Sequence, residues 1–372
     1  MKFKLKKSEH LNKFQLIGKI DKLKLSIREN KSINADSLVF HSVDDKLFAY
    51  ISNGVSASVI YISECETEFE DFAVDCNSFT NAFSNFPTDE VNFVFMSEEN
   101  QLVFGNKKTR VSLKTSKAVN IQTKIKEEFF INDSIDYGEY DLKSFVNAIK
   151  YTSFSCAPDF EEHPYSSIMF FIKNKKFNSQ SSDKHRISIY GSEFSNDQSF
   201  LINKNQADLS LNFVDKMSPK FAIHKNKLIM KDESDYFCTA LELNTFQSVY
   251  NGFQKFFESS ELITSITLYK NELIKSLKFV SNISGSHLFN IKTQEKNLII
   301  TSSGDHTGGA ADKIELTEDL DSLDVSYLTN HFMKILEMLE HDKITLNFYD
   351  YNKFTICIVE IPNYKHMMFP MN

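Results

Sequence analysis

The stretch SYLTNHFMKILEMLEHDKITLNFYDYNKFTICIVEIPNYKHMMFPMN, residues 326–372, decides the fold. In its first part apolar residues recur at helical spacing, which predicts an amphipathic helix: Leu328, Phe332, Ile335, Leu336 and Leu339. Three runs rich in β-branched and aromatic residues follow and predict strands at 343–349, 353–360 and 365–371. Turn-forming residues at 350–352 and 362–363 separate these runs. The stretch therefore predicts one helix followed by three strands.

The same unit occurs twice earlier in the chain, with helices at 77–86 and 207–217, each followed by three strand-like runs. A further helix, at 10–25, 141–151 and 271–280, opens each repeat. The copies lie about 125 residues apart, which is the spacing of domains rather than of solenoid repeats. The sequence predicts an α+β protein of three repeated domains, each with two helices on antiparallel sheet. We place these domains at 1–127, 128–260 and 261–372.

Composition limits the classes of function. The 372 residues are 41% hydrophobic and 25% charged, as in an ordinary globular protein, and no apolar run is long enough for a membrane span. The net charge of −8 argues against a generic nucleic-acid binder. Five scattered cysteines without zinc spacing predict buried free thiols in a reducing cytoplasm. We expect a cytoplasmic protein without cofactor or metal.

The opening helices are basic although the protein is acidic. Their lysines are the candidate DNA-facing residues: Lys13, Lys19, Lys22, Lys24, Lys143, Lys150, Lys270, Lys275 and Lys278. If only one opening helix were basic, its lysines could be explained as the solvated face of a surface helix. Three of them favour a basic helical layer that would place DNA on one side of the molecule.

Two short motifs could carry chemistry. Asp183 and His185, in the segment SDKHR at 182–186, could form a hydrolytic dyad, but no nucleophile stands in a recognisable elbow. The glycine-rich segment 304–309 lacks the ending of a phosphate loop, and a strand rather than a helix follows it. A hairpin loop is the simpler interpretation of this segment.

The three repeats, the start MKFKLKKSEHL, the central SDKHRISIY and the end MMFPMN together resemble the bacterial beta sliding clamp, the processivity subunit of DNA polymerase III. The resemblance covers the whole chain, and a divergent phage-encoded member fits it as well as a cellular one. Its most specific part is the central motif, which reads Thr-Asp-Gly-His-Arg-Leu in the family. The Phe369-Pro370-Met371 segment, Met-Pro-Met in the family, is the next most specific.

The resemblance implies a homodimeric ring, closed head to tail around duplex DNA, that holds the polymerase and the clamp loader through short linear motifs. The positions that match the family's partner-peptide pocket are Tyr165, Ser182, His185, Arg186, Ile187, Gln247, Met367, Phe369, Pro370 and Met371. Three departures affect the peptide specificity that the resemblance implies. Lys184 replaces a glycine, Gln247 replaces a proline, and Asn372 stands where the family continues with Arg-Leu.

The resemblance also implies that the third domain of one chain meets the first domain of the next through an edge strand and a small apolar core. The matching interface positions are Arg110, Val111, Leu113, Phe279 and Val280. The family has a run of glutamates opposite the basic strand, whereas this chain has the glycine-rich segment 303–311. We therefore expect closure by apolar contact and strand pairing, with a smaller electrostatic share.

Simple geometry supports a ring of two chains. A domain of about 124 residues is roughly 35 Å across when treated as a sphere, so three in contact leave a hole of about 5 Å and six leave about 35 Å. Duplex DNA needs roughly 20 Å. The expected function is therefore a non-catalytic DNA sliding clamp. The alternatives are a hydrolase using His185 and Asp183, and a monomeric protein-interaction scaffold.

Overall fold

The computed structural model describes residues 2–22, 37–65, 69–138, 140–158, 164–192, 199–216, 219–243, 256, 259–304, 306–318 and 320–371. The chain divides into two compact units. Unit 1 comprises Met1–Leu142 and Phe200–Leu243, and unit 2 comprises Lys143–Ser199 and Asn244–Asn372. No helix of the described chain is long and apolar enough to cross a membrane.

The regular elements are helices and antiparallel strands. The helices are α1 (Lys7–Lys22), α2 (Cys76–Ser84), α3 (Ile121–Glu128), α4 (Leu142–Thr152), α5 (Lys204–Lys216), α6 (Lys270–Ser284) and α7 (Thr329–Met338). The strands of the first repeat are β1 (Lys2–Lys6), β2 (Ser37–Val43), β3 (Lys46–Ser52), β4 (Ser56–Glu64), β5 (Phe72–Asp75), β6 (Glu90–Met96), β7 (Gln101–Gly105) and β8 (Arg110–Lys117).

The later repeats contain the remaining strands. Those of the second repeat are β9 (Ser167–Lys173), β10 (Lys176–Ser182), β11 (Arg186–Tyr190), β12 (Ser199–Asn203), β13 (Lys220–His224), β14 (Lys227–Asp232), β15 (Asp235–Ala240) and β16 (Glu242–Leu243). Those of the third are β17 (Glu261–Tyr269), β18 (Leu288–Gln294), β19 (Asn297–Gly304), β20 (Gly308–Glu315), β21 (Asp324–Leu328), β22 (Lys343–Tyr351), β23 (Phe354–Ile361) and β24 (Tyr364–Met368).

Unit 1 is built on one sheet of eleven antiparallel strands, in the order β1-β6-β7-β8-β5-β2-β3-β4-β15-β14-β13. Helix α2 begins where Asp75 caps it, because the Asp75 carboxylate accepts the Ser78 N–H at 2.7 Å. The helix then buries Phe79 and Phe83 against Phe14 of α1, with ring centroids 4.9 and 5.2 Å apart. The phenylalanine-rich composition thus fills this core with interlocking rings.

A second apolar cluster of unit 1 lies under α3. Ile121, Ile125 and Phe129 pack there with Val39 and Ile229 from the sheet. The predicted boundary between the first two domains, at 127/128, falls inside this helix, which the sequence analysis did not predict. The three apolar residues follow helical spacing, but the run is short and surrounded by lysine and glutamate, so the periodic signal was weak.

Unit 2 contains two antiparallel sheets. One follows the order β9-β10-β11-β24-β23-β22-β17, and the other follows β20-β19-β18-β21. Helices α6 and α7 bury Leu273, Leu277, Phe332 and Leu336 in the main core of this unit. Helix α6 stops at Gly285, whose φ of 62° is the left-handed cap conformation that glycine adopts without strain.

The prediction of helices on antiparallel sheets is confirmed, and the last stretch folds as one helix followed by three strands. One turn lies at a different position from the turn that the sequence predicted at residues 350–352. Strand β22 continues to Tyr351, and the turn lies at Asn352 and Lys353, which both have positive φ. A two-residue hairpin turn of this type needs positive φ at both positions, and asparagine tolerates it.

Strand β10 was missed because its sequence KFNSQSS looks like a loop. Ser179 and Ser181 are nevertheless buried, at 0% and 6% exposure. The strand pairs on both sides, with β9 and β11, and the Ser179 hydroxyl donates to the Ala148 carbonyl at 2.8 Å. Polar side chains that are hydrogen-bonded can occupy a core, so hydrophobic alternation does not reveal such a strand. Strand β17 begins at Glu261, the first residue of the predicted third domain.

Candidate functional site: an apolar pocket and rows of lysine-bearing helices

An apolar patch lies on the face of the large sheet of unit 2 that points away from its main core. Side chains alternate between the two faces of a strand, and directly opposite residues share a face. Ile187 of β11 is opposite Met367 of β24, which is opposite Ile358 of β23. These residues form a cluster that is separate from the main core. Its members are Phe256, Ile356, Ile358 and Met367, with Ile187, Tyr349, Tyr351 and Phe369 half-buried around them. We call this cluster the pocket patch.

The chain after β24 is fixed beside the pocket patch by backbone hydrogen bonds. The Phe369 N–H donates to the His185 carbonyl at 3.1 Å, and the Met371 N–H donates to the Ser326 carbonyl at 2.9 Å. Phe369, Pro370 and Met371 are each half-buried. The C-terminal segment therefore offers partly exposed apolar side chains on a positioned backbone.

The turn between β10 and β11 forms one border of this region. The Asp183 carboxylate accepts the His185 and Arg186 N–H groups at 3.1 and 3.0 Å. Lys184 has a φ of 75°, the left-handed conformation that favours glycine, which explains the glycine that the resemblance places here. The Lys184 ammonium lies 4.9 Å from the centre of the Tyr165 ring. Of the predicted pocket residues in this turn, His185 is exposed and Ser182 is buried.

Arg186 does not line the pocket patch as the sequence analysis expected. It precedes Ile187 on β11 and points to the opposite face of the sheet, where it is only 6% exposed. Its Nε donates to the Asp183 carboxylate at 2.7 Å, and its guanidinium stacks over Phe154 at 5.7 Å. Its Nη1 is buried without a hydrogen-bond partner among the described residues. Arg186 therefore supports the turn from behind the pocket.

Two histidines lie in the electrostatic field of Arg186. Burial, together with the nearby Arg186 charge, lowers the pKa of His331 on α7 to about 4. Burial and the same arginine hold the pKa of His366 well below its usual value. The His366 Nδ1 lies 2.8 Å from the Ser188 hydroxyl, while its Nε2 is buried without a partner among the described residues. The structure thus places neutral imidazoles behind the pocket patch.

Some members of the pocket patch were missed, and one expected member cannot be placed. Tyr349, Tyr351, Ile356 and Ile358 alternate along β22 and β23, and this alternation was visible in the sequence. The alternation alone does not indicate which face of these strands the helices cover. Gln247 lies outside the described residues.

The DNA-facing candidates of unit 1 lie on α1. The Lys13 ammonium pairs with Asp235 at 2.7 Å, and Lys19 donates to the Asn212 side chain of α5 at 2.5 Å. The side chain of Lys22 and all of Lys24 lie outside what the structure describes.

The candidates of unit 2 lie on α4 and α6. Lys150 pairs with Glu340 at 2.8 Å and Lys278 with Glu337 at 3.3 Å, while Lys270 donates to the Leu339 carbonyl. Lys143 and Lys275 are exposed. Lys278 therefore links α6 to α7, while Lys150 and Lys270 bond residues just after α7. The carboxylate partners of Lys150 and Lys278 reduce the positive field that the sequence suggested.

The five interface candidates differ in exposure. Arg110 is exposed, and Val111 and Leu113 are half-buried on β8. Phe279 is 49% exposed at the end of α6, whereas Val280 is completely buried in the core of unit 2. Val280 therefore cannot offer its side chain to a partner, because the helix turns adjacent residues by about 100° and directs it inward. Ile283, one turn after Phe279 and 46% exposed, is the apolar neighbour on the outer face.

The arrangement offers no support for the catalytic alternative. The Asp183 carboxylate is engaged by the turn backbone and by Arg186 rather than by the His185 ring. The five cysteines, all within the described residues, form no disulfide and are buried, and burial raises the pKa of the Cys238 thiol to about 12. Within the part of the chain that the structure describes, no group of three or more His, Cys, Asp or Glu residues could hold a metal ion. Gly304 lies opposite Gly308 at the end of the β19–β20 hairpin.

No protein-family model matches the sequence, and no curated protein sequence matches it. Its fold is similar over its whole length to solved bacterial structures. The DNA polymerase III beta subunit of Thermotoga maritima is 16% identical with a TM-score of 0.79, and the match covers 100% of this chain and 99% of that one. The Helicobacter pylori beta clamp bound to a DNA ligase peptide is 17% identical with a TM-score of 0.75, and both chains are covered completely. The DNA polymerase sliding clamp of Bacillus subtilis is 14% identical with a TM-score of 0.76, covering 100% of this chain and 99% of that one. The chain has the fold of these clamps.

Proposed function

We propose that this chain is a DNA sliding clamp, two copies of which close head to tail around duplex DNA. The observation that carries the proposal is the likeness in fold to beta clamps over the complete chain, with a TM-score of 0.79 for the Thermotoga maritima protein. On this proposal the chain acts by topology and catalyses no reaction. Its domains are 1–127, 128–260 and 261–372.

The ring explains how an acidic protein can work on DNA. A closed ring needs no tight binding, because phosphate contacts that are weak and independent of sequence hold the duplex while it slides. Exposed lysines on α4 and α6, such as Lys143 and Lys275, would face the phosphates. The acidic remainder of the chain would discourage DNA from binding outside the ring.

The pocket patch is the proposed docking site for the polymerase and the clamp loader. Peptides bind such grooves through a few buried apolar anchors, with a polar rim that fixes orientation. Ile187, Met367 and Phe369 supply the apolar surface, and the exposed His185 lies at its border. The peptide complex of the Helicobacter pylori clamp is consistent with this use of the fold.

Retention on circular DNA tests the proposal. The protein is incubated with nicked circular plasmid, and gel filtration separates plasmid-bound protein from free protein. The amount of bound protein is measured before and after a restriction enzyme cuts the circle. We expect the protein to stay with circles and to leave after cutting, since a ring can slide off a free end. A linear plasmid with both ends blocked by a bulky protein is the control and should retain the clamp. Equal retention on open linear and circular DNA would contradict the topological mechanism.

A further inference from the structure

A cavity of about 260 Å³ lies in unit 1 between α3 and the strands β2 and β3. Val39 of β2 lies opposite Tyr50 of β3, and both belong to the face of the sheet that α3 covers. The ring of the neighbouring Phe40 packs against α2 on the other face. Gly54 in the β3–β4 turn and Glu127 of α3 line the cavity and are exposed. The cavity is therefore open to solvent on the α3 side of the sheet.

This cavity adjoins a groove that corresponds to the pocket patch. We call the pairing of β4 with β15 the first junction and that of β11 with β24 the second junction. The pocket patch is built on a row of opposite residues across β23, β24 and β11. The corresponding row across β14, β15 and β4 is Ile229, Cys238 and Ala57. Ile125 and Phe129 of α3 pack on this row, so the chain itself fills the groove of the first junction beside the cavity.

The turn at the rim of the cavity has the same form as the turn beside the pocket patch. The Asn53 side chain accepts the backbone N–H groups two and three residues later, as the Asp183 carboxylate does. Gly54, with a φ of 85°, stands where the second turn has Lys184, with a φ of 75°. Lys184 reaches over the Tyr165 ring, whereas a Cβ at Gly54 would meet no atom within 4 Å. No side chain therefore projects from Gly54 over the cavity.

The polar wall of the cavity is organised around Glu128. The Tyr50 hydroxyl donates to one oxygen of its carboxylate at 2.8 Å, and the Ser52 hydroxyl donates to the other at 2.6 Å. Tyr50 is 5% exposed, and burial together with the Glu128 charge raises the pKa of its phenol, so the hydroxyl remains a donor. A carboxylate has about four acceptor positions. The two hydroxyls thus hold Glu128 in place and leave it both charge and acceptor capacity.

The other lining groups limit the chemistry of a ligand. Val39 and Ile121 supply apolar wall, while Lys124 and Glu127 carry opposite charges, so the net negative charge is that of Glu128. This charge disfavours anions. The volume is smaller than the roughly 300–1,000 Å³ of sites for drug-sized ligands, so it suits a group of the size of one side chain. Water in such a polar cavity can be replaced by a ligand that donates to the same acceptors.

We propose that this cavity binds a guanidinium or alkylammonium group at the end of a short apolar stem, as an arginine or lysine side chain presents it. The cation donates to Glu128, and the stem lies along Val39 and Ile121. Charge-assisted hydrogen bonds to a carboxylate are among the strongest in proteins, and the planar donors of guanidinium match carboxylate geometry. The first junction thus has an acidic binding site, whereas the second has the apolar pocket patch. The inference does not depend on the proposed ring.

Ligand-observed NMR titration of the full chain tests the chemistry. The probe is n-butylguanidinium, and its controls are the neutral n-butylurea, which has nearly the same shape, and the anionic pentanoate. We expect saturable binding of butylguanidinium and at least about tenfold weaker binding of the two controls, because only the cation makes charge-assisted hydrogen bonds. Equal binding of butylurea and butylguanidinium would overturn the proposal.

Two variants with opposite expected effects test the site. Glu128→Gln should weaken butylguanidinium binding at least about tenfold, and Lys124→Ala should strengthen it several-fold because it removes a like charge. Glu99→Gln removes an exposed carboxylate from the β6–β7 turn of the same unit and should bind as the unchanged protein does. A purely structural role of Glu128 would not produce the gain in Lys124→Ala. If circular dichroism shows Glu128→Gln to be unfolded, Lys124→Ala decides, and unchanged affinity in that variant overturns the proposal.

Two peptides with blocked ends distinguish the sources of the cation. One has a central arginine among alanines, and the other has the neutral citrulline in its place. An arginine peptide that binds more tightly than butylguanidinium, with loss of binding in the citrulline peptide, would identify a protein partner. Binding of butylguanidinium without binding of the arginine peptide would identify a free small cation. Both results support the proposed site, whereas binding of neither compound overturns it and leaves the sliding-clamp proposal untouched.

Discussion

At the residue scale, burial behind the pocket patch, together with the charge of Arg186, keeps two histidines neutral. Arg186 is buried with its carboxylate partner Asp183, and the neighbouring His331 and His366 have lowered pKa values. A neutral imidazole beside a buried guanidinium avoids repulsion in a region of low dielectric constant. The turn that carries His185 is thus supported by a network whose stability depends on pH.

We predict that the free energy of unfolding of this protein falls as the pH drops from 6.5 to 4. In this window the unfolded chain binds protons at histidines that remain neutral in the native state, so acid favours the unfolded state. His331→Gln should reduce the loss of unfolding free energy between pH 6.5 and 4 by about 1–2 kcal/mol. This value allows for solvent screening, because the His331 ring is only half-buried. Urea titrations at several pH values measure this, with the exposed His185→Gln as control. An unchanged slope in His331→Gln would show that this group does not titrate on unfolding.

A second prediction compares two phenylalanines, Phe369 and Phe354. Phe369 joins the pocket patch, whereas Phe354 is 47% exposed at the start of β23. Phe369→Ala should weaken binding of a labelled DNA ligase peptide by about tenfold or more, since anchors in a buried pocket dominate such affinity. Phe354→Ala is the matched control and should bind normally in fluorescence anisotropy. Equal losses in both variants would mean that the peptide site lies elsewhere.

At the element scale, α6 has two unlike faces. Its inner face buries Leu273, Leu277 and Val280, and its outer face ends in Phe279 and Ile283, both about half exposed. Val111 and Leu113 on β8 belong to the first repeat. In the proposed ring they would meet the outer face of α6 only between chains. Burying such side chains contributes roughly 1.5–3 kcal/mol each.

The variant Val111→Asp/Phe279→Asp should therefore be a folded monomer. Aspartate at these positions would place a charge in an apolar contact between the chains, while neither side chain is needed in the core of its own unit. Analytical ultracentrifugation measures the association state and circular dichroism the fold. Phe354→Asp changes an equally exposed phenylalanine and should leave the dimer intact. A double variant that still forms dimers would exclude this contact from the interface.

At the scale of the whole molecule, the charge of the helices should matter only for DNA. Lys143→Glu/Lys275→Glu should reduce retention on circular plasmid several-fold, since each removed phosphate contact weakens binding. The melting temperature should hardly change, because exposed surface substitutions are usually within about 0.5 kcal/mol. Lys296→Glu/Lys353→Glu changes the net charge equally in hairpin turns and is the matched control. If both variants lose retention alike, overall charge rather than the helix surface controls loading.

The closed ring should also respond little to salt. The glycine-rich segment 303–311 stands where the resemblance places glutamates opposite the basic strand, so strand hydrogen bonds and apolar contact would close the proposed ring. Between about 0.05 and 0.5 M salt, screening weakens exposed ion pairs but leaves such contacts nearly unchanged. The dimer dissociation constant from sedimentation should vary less than about threefold over this range. A much stronger dependence would indicate an interface held by charge.

The sequence by itself determined the repeats and most of the elements, because helical and strand periodicities are local properties of the chain. The last stretch, with its helix and three strands, followed directly from such spacing. Strand β10 was not accessible in this way, since its serines are buried through hydrogen bonds to α4 that only the folded chain provides.

The tertiary structure decided which face of each element is covered. Arg186 and Ile187 are neighbours in the sequence, yet one lies behind the sheet and the other in the pocket patch. Val280 and Phe279 are likewise neighbours, and only Phe279 is left exposed. Period and polarity define two faces of a strand or helix, but the neighbouring elements determine which of them becomes core. The pairing of β4 with β15 and of β11 with β24 also joins residues far apart in the chain, which no local pattern contains.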